Sequence, residues 1–143
     1  MDSELADLAE AILGVGRELR MRPDADVEHL TAQEAHVMRH IDHHPGVTPS
    51  DVARATGLQR SNLSTALRAL ERRGFVERRA DPHDARGINL FPTDRAADNL
   101  TRLRRQWANQ MAAALAGDRR GAAAAMALLQ RVEAGLTAQR LGG

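Results

Sequence analysis

The sequence predicts a mainly α-helical protein with one small β-hairpin. Hydrophobic residues make up 43% of the 143 residues but aromatic residues only 2%. Such an aliphatic core favours helices over a β-sandwich or barrel. Apolar residues also recur three and four positions apart along most of the chain, which is the helical period. Only residues 75–79 and 88–92 have a β-like pattern, and the length fits one domain or two closely joined parts.

Composition narrows the class of protein further. The absence of cysteine excludes disulfides, thiolate nucleophiles, cysteine-ligated zinc and thiol redox sensing. The N-terminus begins with acidic residues rather than the basic-then-apolar order of a signal peptide. No run approaches the roughly 18 apolar residues of a membrane span. We therefore expect a soluble, cytoplasmic protein.

Charge is distributed unevenly, although the chain's net charge is only +1. Residues 1–58 hold five arginines against eleven acids, a net charge of −6. Residues 59–79 hold six arginines against two acids (+4), and residues 80–143 hold nine against six (+3). The basic region therefore begins near residue 59, and this placement indicates a local rather than a global attraction for an anionic partner.

The first helix carries a narrow apolar stripe and is predicted to end near Arg22-Pro23, because proline disfavours helix in the residue before it. Such a stripe either packs on the chain's own helices or pairs with another subunit. The helix by itself favours neither alternative. The stripe consists of Leu5, Leu8, Ile12, Val15 and Leu19.

The second helix begins at a capping box, in which the Thr31 hydroxyl and the Glu34 carboxylate satisfy backbone amides. Its predicted inward residues are Ala35, Met38 and Ile41, and it stops at residues 44–46. A third helix begins around Thr48-Pro49 and ends at Gly57, a natural left-handed stop.

The fourth helix runs from Gln59 or Arg60 to Arg73, and Gly74 closes it. Its predicted buried residues are Leu63, Leu67 and Leu70. A hairpin follows, with strands at residues 75–79 and 88–92 and an eight-residue exposed connection rich in Asp, Pro and Gly. We expect the return strand to end before Pro92.

Two long helices complete the chain. Thr93 caps the fifth, whose apolar face consists of Ala96, Leu100, Leu103, Trp107, Met111 and Leu115. Gly117-Asp118 interrupts it, and a sixth helix runs from about residue 119 to residue 140. The apolar stripe of that last helix consists of Met126, Leu129, Val132 and Leu136.

The third and fourth helices have the lengths of a helix-turn-helix, in which the second helix enters the major groove of DNA. Arginine pairs with guanine, Asn pairs with adenine, and short hydroxyl residues let the helix backbone approach the bases. The alternative is that the outward face of the fourth helix only contacts solvent. Such a face would more typically carry acid–arginine pairs one helical turn apart. The outward residues of the fourth helix are Arg60, Ser61, Asn62, Ser64, Thr65 and Arg68.

The hairpin adds a second candidate contact. Arg86 stands beside Asp84 in the connection, and we expect the acid to hold the guanidinium extended at the tip of a loop. An arginine presented in this way suits the strong negative potential of a narrow minor groove. A reading helix followed by a basic wing is a winged helix.

These motifs together resemble the MarR (multiple antibiotic resistance regulator) family over nearly the whole chain. The likeness lies in "LTAQEAHVMRHIDHHPG" (residues 30–46), "LERRGFVERR" (residues 70–79) and "DPHDARG" (residues 81–87). The resemblance implies a winged helix-turn-helix protein that is not an enzyme. It places Ser61, Asn62, Ser64, Thr65 and Arg68 on the recognition helix and Asp84 and Arg86 on the wing.

The resemblance also implies a homodimer whose first and last helices interlock. Residues 1–22 and 93–143 would form the helical dimerisation region, and residues 30–92 the DNA-binding domain. The apolar stripes of the first and sixth helices would then form the dimer core. The implied function is repression, or another form of transcriptional control, from a pseudo-palindromic site on double-stranded DNA.

An effector site is a further hypothesis. His36, His40 and His43 or His44 follow one another along the second helix, which suits either a metal or pH-responsive site or a polar flank of a helix end. Trp107, near three arginines, either lines a pocket for a small aromatic or acidic effector or packs in the core. No cofactor or bound metal is predicted. The absence of any nucleophile or phosphate-loop motif argues against an enzyme and leaves a dimeric protein-interaction module as the alternative.

Overall fold

The structure, a computed structural model, describes residues 2–21 and 24–143. They form six helices and one antiparallel two-stranded sheet, which confirms the mainly α-helical class. The elements are α1 (Ser3–Arg20), α2 (Ala32–His43), α3 (Pro49–Thr56), α4 (Arg60–Arg72), β1 (Val76–Asp81), β2 (Asp84–Pro92), α5 (Asp94–Ala114) and α6 (Ala122–Gly142). The predicted stop of the first helix at Arg22-Pro23 lies outside the described residues. None of the helices described is long and apolar enough to cross a membrane.

The chain divides into two compact units. One comprises Met1–His29 and Asn99–Arg119, and the other comprises Leu30–Asp98 and Arg120–Gly143. The second unit therefore holds the helix-turn-helix, the hairpin, the first turn of α5 and all of α6. The dimerisation region drawn from the sequence stays a prediction, since a single chain does not reveal an intersubunit contact.

The second unit has an aliphatic core built from the inner faces of α2, α3, α4 and the hairpin. The predicted inward side chains of α4 are indeed buried, and Ala66 joins them. In α2, Met38 and Ile41 are buried as predicted, whereas Ala35 is only half-buried and Val37 takes a place in the core. The largest fully buried side chains are Phe75, Ile41, Leu70, Leu90, Val37 and Val52.

Local caps set the helix boundaries. The Thr31 hydroxyl accepts from the Glu34 amide at 3.1 Å, and the Glu34 carboxylate accepts from the Thr31 amide at 3.0 Å, which confirms the capping box. Thr48 caps α3, with Pro49 in the first turn. Gly57 ends α3 with a φ of 70° in the left-handed region that favours glycine.

In the first unit, α5 turns polar side chains inward. Asn99 and Gln106 are both buried. The Asn99 side chain accepts from the Glu28 amide at 2.7 Å and donates to the Glu28 carbonyl at 3.1 Å. Gln106 accepts from the Asp24 amide at 3.0 Å. These two amides bind the connector after α1 in place of a hydrophobic contact, and the apolar period of α5 gave no sign of this.

The hairpin has a shorter turn than the sequence suggested, and its pairing is irregular next to that turn, where residues 85–87 of β2 have no partner in β1. β1 and β2 pair from Val76 opposite Pro92 to Asp81 opposite Asp84, so the turn contains two residues instead of eight. Asp81 explains the tight turn, because its carboxylate accepts from the His83 amide at 2.9 Å. The expectation that the return strand ends before Pro92 is wrong, because this residue pairs as the last residue of β2, a position that proline tolerates.

Candidate nucleic-acid interface

Helix α4 has one apolar face in the core and one polar face in solvent. The four buried side chains, Leu63, Ala66, Leu67 and Leu70, fix the rotation of the helix. All of the side chains predicted to contact DNA from this helix are exposed: Arg60, Ser61, Asn62, Ser64, Thr65 and Arg68. Between Arg60 and Arg68 this polar face carries no carboxylate, which would repel phosphate, and Glu71, further along α4, pairs with Arg78.

Two of these side chains are held against the helix backbone. The Thr65 hydroxyl donates to the Ser61 carbonyl at 3.0 Å, and the Nε of Arg68 donates to the Ser64 carbonyl at 3.3 Å. The bond through Nε leaves the two terminal nitrogens of Arg68 pointing outward as a fork that can bind the edge of a guanine. At the start of α4, the side chain of Gln59 makes no capping hydrogen bond and the first turn contains no acid. The first backbone amides of α4 are therefore open to an anion.

The arginines of the basic segment fall into two groups. Arg73 lies 3.6 Å from Glu34, Arg78 pairs with Glu71, and Arg79 lies 3.3 Å from Glu77. Within the described part of the chain, no ion pair involves Arg60, Arg68 or Arg72 of this segment, or Arg86 of the hairpin. The uncompensated positive charge thus lies on the outer face of α4 and on the hairpin.

The structure corrects the predicted arrangement of the wing. Arg86 is exposed, but it is the third residue of strand β2 and does not lie at the tip of a loop, which is Pro82-His83. The Asp84 carboxylate accepts from the backbone amide of Arg86 at 3.0 Å, and across residues 2–21 and 24–143 no ion pair joins the two side chains. An aspartate reaches the amide two residues ahead more readily than an extended guanidinium. Asp84 therefore shapes the wing and does not orient the Arg86 side chain.

The histidines of α2 have separate structural roles. Nε2 of His36 donates to the Thr56 carbonyl at 3.2 Å, so this nitrogen carries a proton. The rings of His40 and His44 stack with centroids 4.4 Å apart. Partial burial, together with the charge of His44, lowers the pKa of His40. Among the residues that the structure describes, no three His, Asp or Glu side chains are grouped so as to hold a metal ion.

His40 lines an open groove of about 280 Å³, but the predicted effector residues do not all meet there. His36 is not among the lining residues, and neither is Trp107, which is half-buried in the C-terminal part of α5. The remaining lining residues come from the connection after α2, from α3 and from the end of α6, and no sequence pattern indicates that these elements meet. The groove is lined by His40, His44, Val47, Asp51, Arg54, Ala55 and Leu141.

The two apolar stripes predicted for dimerisation are open to solvent in the single chain. No residue of α1 or α6 is buried. On α1, Leu5 is 61% exposed and Val15 51%. On α6, Met126 is 58% exposed and Leu136 59%. Ile12 and Leu129 are also exposed, whereas Leu8, Leu19 and Val132 are half-buried.

This chain is similar to one protein-family model and to several solved structures. A family model described as "MarR family" matches residues 30–87. The search of curated proteins gave no match. Among solved structures, the PcaV transcriptional regulator from Streptomyces coelicolor, in complex with its natural ligand, is 26% identical with a TM-score of 0.60, over 88% of this chain and 89% of that one.

Two further solved structures contain DNA. FabT from Streptococcus pneumoniae, in complex with DNA, is 25% identical with a TM-score of 0.63, over 94% of both chains. The transcriptional repressor CouR, bound to a 23-mer DNA duplex, is 28% identical with a TM-score of 0.58, over 73% of this chain and 75% of that one. The likeness therefore extends beyond the matched segment to the helices on both sides of it.

Proposed function

We propose that this chain is a DNA-binding transcription regulator of the MarR family, whose model matches residues 30–87, and that it recognises a specific DNA site as a homodimer and represses transcription from that site. The observation that carries the proposal is the outer face of α4, where an uncharged polar surface and two arginines stand on a helix whose other face is fixed in the core. Relatives of the same fold, FabT and CouR, have been solved with DNA.

Recognition of bases is assigned to α4. Asn62 suits the two adjacent hydrogen-bonding positions of adenine, and Arg68 suits those of guanine. Ser61, Ser64 and Thr65 are short, so the backbone of α4 can approach the floor of the major groove. Arg60 and the open amides of the first turn suit the phosphates along the edge of that groove.

Backbone contact is assigned to the wing. Arg86 is exposed and lies next to the turn, in the part of β2 between the paired residues Asp84 and Ile88, so its charge can reach a phosphate or a narrow minor groove. Such a contact adds affinity without reading individual bases. Asp84 supports it indirectly, because its carboxylate holds the backbone amide of Arg86.

Dimerisation is assigned to α1 and α6, because exposed apolar side chains along a helix mark a surface that another chain covers. A two-fold dimer presents two copies of α4 to DNA. It therefore reads a pseudo-palindrome whose half-sites are about 10 base pairs apart.

Response to a small aromatic or acidic effector stays a prediction. PcaV was solved with its natural ligand. In this chain His40 and Arg54 line one groove, which an acidic molecule could enter, while Trp107 does not contribute to that groove.

The decisive experiment selects bound fragments from genomic DNA and measures their affinity over a range of salt concentrations. We expect the selected duplex to bind more tightly than a scrambled one, with a steep linear fall of log affinity against log salt.

Asn62→Ala or Arg68→Ala should each lose about 1–3 kcal/mol of discrimination at one defined base position. Arg86→Ala should weaken binding to all duplexes and reduce the salt slope by about one.

The matched control is Arg131→Ala, which removes one exposed arginine from α6, outside α4 and the hairpin. It should leave both the base preference and the salt slope unchanged. Equal affinity of the wild-type protein for selected and scrambled duplexes at physiological salt would contradict sequence-specific reading. That outcome would favour a winged helix that binds another protein through its basic face.

A further inference from the structure

The C-terminus of α3 leads directly into the turn of the helix-turn-helix. The last four carbonyls of a helix have no partner within that helix, so those of α3 need partners from elsewhere. The Ala53 carbonyl accepts from the Gly57 amide at 2.9 Å. The Thr56 carbonyl accepts from His36 of α2 at 3.2 Å. The two remaining carbonyls, those of Arg54 and Ala55, are met by a side chain more than 80 residues away in the sequence.

That side chain is Arg140, near the end of α6. Its Nη1 donates to the Arg54 carbonyl at 2.9 Å, and its Nη2 donates to the Ala55 carbonyl. The planar guanidinium thus binds two successive carbonyls at the negative end of α3, where a cation is favoured.

Gly57 leaves the space in which this guanidinium lies. A Cβ atom at Gly57 would stand 3.3 Å from both Cδ and Nη1 of Arg140. The glycine therefore does more than permit the left-handed backbone of the turn. It also lets the arginine of α6 lie against the turn itself.

A second contact attaches α6 two helical turns earlier. Glu133 accepts two hydrogen bonds from the Arg39 guanidinium of α2, at 2.6 and 3.1 Å. Arg39 lowers the pKa of Glu133 through this pairing. Glu133 and Arg140 are seven residues apart and so share one face of α6. Because both side chains of the ion pair are more than half exposed, it aligns the helix but contributes little stability.

We propose that Arg140 is a positioning residue, which anchors the end of α6 to the turn between α3 and α4 and so holds the recognition helix at a fixed orientation relative to α6. The inference rests on the proposed function in taking α4 as the DNA-reading helix and α6 as part of the dimer interface. α6 also carries an exposed apolar stripe. A partner subunit that binds α6 would therefore be connected through Arg140 to the turn that precedes the recognition helix α4. Spacing of the two α4 helices then depends on this contact.

The first test measures amide hydrogen exchange in the free, full-length protein, so that it does not depend on DNA. Arg140→Ala should speed exchange of the Gly57 and Leu58 amides, while Arg131→Ala, on the same helix, should not. Arg140→Lys keeps the charge but cannot donate two hydrogen bonds from a planar fork, so we expect it to resemble Arg140→Ala. Exchange at the turn that is the same in all three variants would overturn the proposal.

A double-mutant cycle of unfolding free energy separates the contact from backbone strain. Gly57→Ala places an unfavourable residue at φ 70° whether or not Arg140 is present, but it also meets the guanidinium only when Arg140 is present. The loss of stability from Gly57→Ala should therefore be smaller in the Arg140→Ala background. Strictly additive effects would show that the two residues do not interact.

DNA binding then tests the positioning role, with dimer content checked by sedimentation at the same protein concentration. Arg140→Ala should weaken binding of the selected duplex by about tenfold, the size expected for losing a charge-assisted hydrogen bond, without changing which bases are preferred. Faster exchange at the turn combined with unchanged affinity would overturn the positioning role. If the wild-type protein selects no duplex, the proposed function fails, and the exchange and cycle measurements still decide whether Arg140 anchors the turn.

Discussion

Glu34 joins three parts of the DNA-binding unit through one carboxylate. One oxygen accepts from the Thr31 amide at 3.0 Å, and the other lies 3.6 Å from Arg73 at the end of α4. Glu34 is buried. Removing its carboxylate would therefore leave the Thr31 amide and the Arg73 guanidinium without their partner at a site where access of water is limited. A capping residue that a local sequence pattern identifies is therefore also a link between α2 and α4.

Thr31 and Glu34 should differ in their contribution to stability. Thr31→Ala removes the cap alone and should cost about 1 kcal/mol. Glu34→Ala should cost more, about 2–3 kcal/mol, because it leaves a partly buried amide and a partly buried arginine unpaired. Denaturant unfolding at one fixed protein concentration measures both losses.

Glu77→Ala is the matched control, because Glu77 pairs with Arg79 where both side chains are more than half exposed. This substitution should change the unfolding free energy by no more than about 0.5 kcal/mol. Equal losses for the Glu34 and Glu77 variants would contradict the linking role of Glu34.

The wing shows how one close contact shapes an element. A Cβ at Gly87 would lie 2.9 Å from the Cβ of Asp81, closer than packed side chains allow. The contact stands beside the irregular pairing between Ala80 and Asp81, next to the two-residue turn. Close approach of the two strands therefore needs a glycine here, and its neighbour in β2 is the exposed Arg86.

Gly87→Ala should displace the end of the wing while leaving the core intact. Overpacking of this kind costs about 1 kcal/mol, so we expect the melting temperature to fall by only a few degrees and DNA affinity to fall about fivefold. Ala85→Ser, an exposed change in the same strand, serves as the control in the same titration. Wild-type affinity for Gly87→Ala would mean that the wing's shape does not matter for binding.

On the scale of the whole molecule, two long helices lack a covered face. α1 and α6 contain no buried residue, although both carry rows of large apolar side chains. Isolated helices in water are marginal, and most helices in proteins owe their stability to packing of an apolar face. The partner subunit of the proposed dimer would cover both stripes and give these helices the contacts that one chain lacks.

Leu5→Glu should dissociate the dimer, because it places a charge in the proposed apolar interface without a partner. We expect at least a 100-fold weaker dimer in analytical ultracentrifugation, a change of about 3 kcal/mol, and loss of tight binding to the two-half-site duplex. Leu13→Glu is the matched control on the same helix, since Leu13 is 74% exposed and lies off the predicted stripe. A monomeric wild-type protein, or equal dissociation by both variants, would defeat the proposed interface.

The sequence by itself determined the boundaries of α2, α3 and α4, the buried face of α4 and the order of the elements. Thr31, Thr48 and Gly57 act on backbone groups only a few residues away. Their roles at the helix ends can therefore be predicted from the neighbouring residues in the sequence. The pattern of Leu63, Leu67 and Leu70 was equally readable, because burial of one helix face has a fixed period. The family resemblance could be recognised for the same reason, since its motifs are local.

Only the tertiary structure decided which distant groups meet. Arg140 reaches carbonyls 85 and 86 residues away, and Asn99 binds a backbone amide 71 residues away. The short turn of the wing likewise depends on Asp81 and on the close approach at Gly87. Such contacts satisfy backbone groups that folding brings together, and neither composition nor periodicity encodes that proximity, because it exists only after the helices have packed.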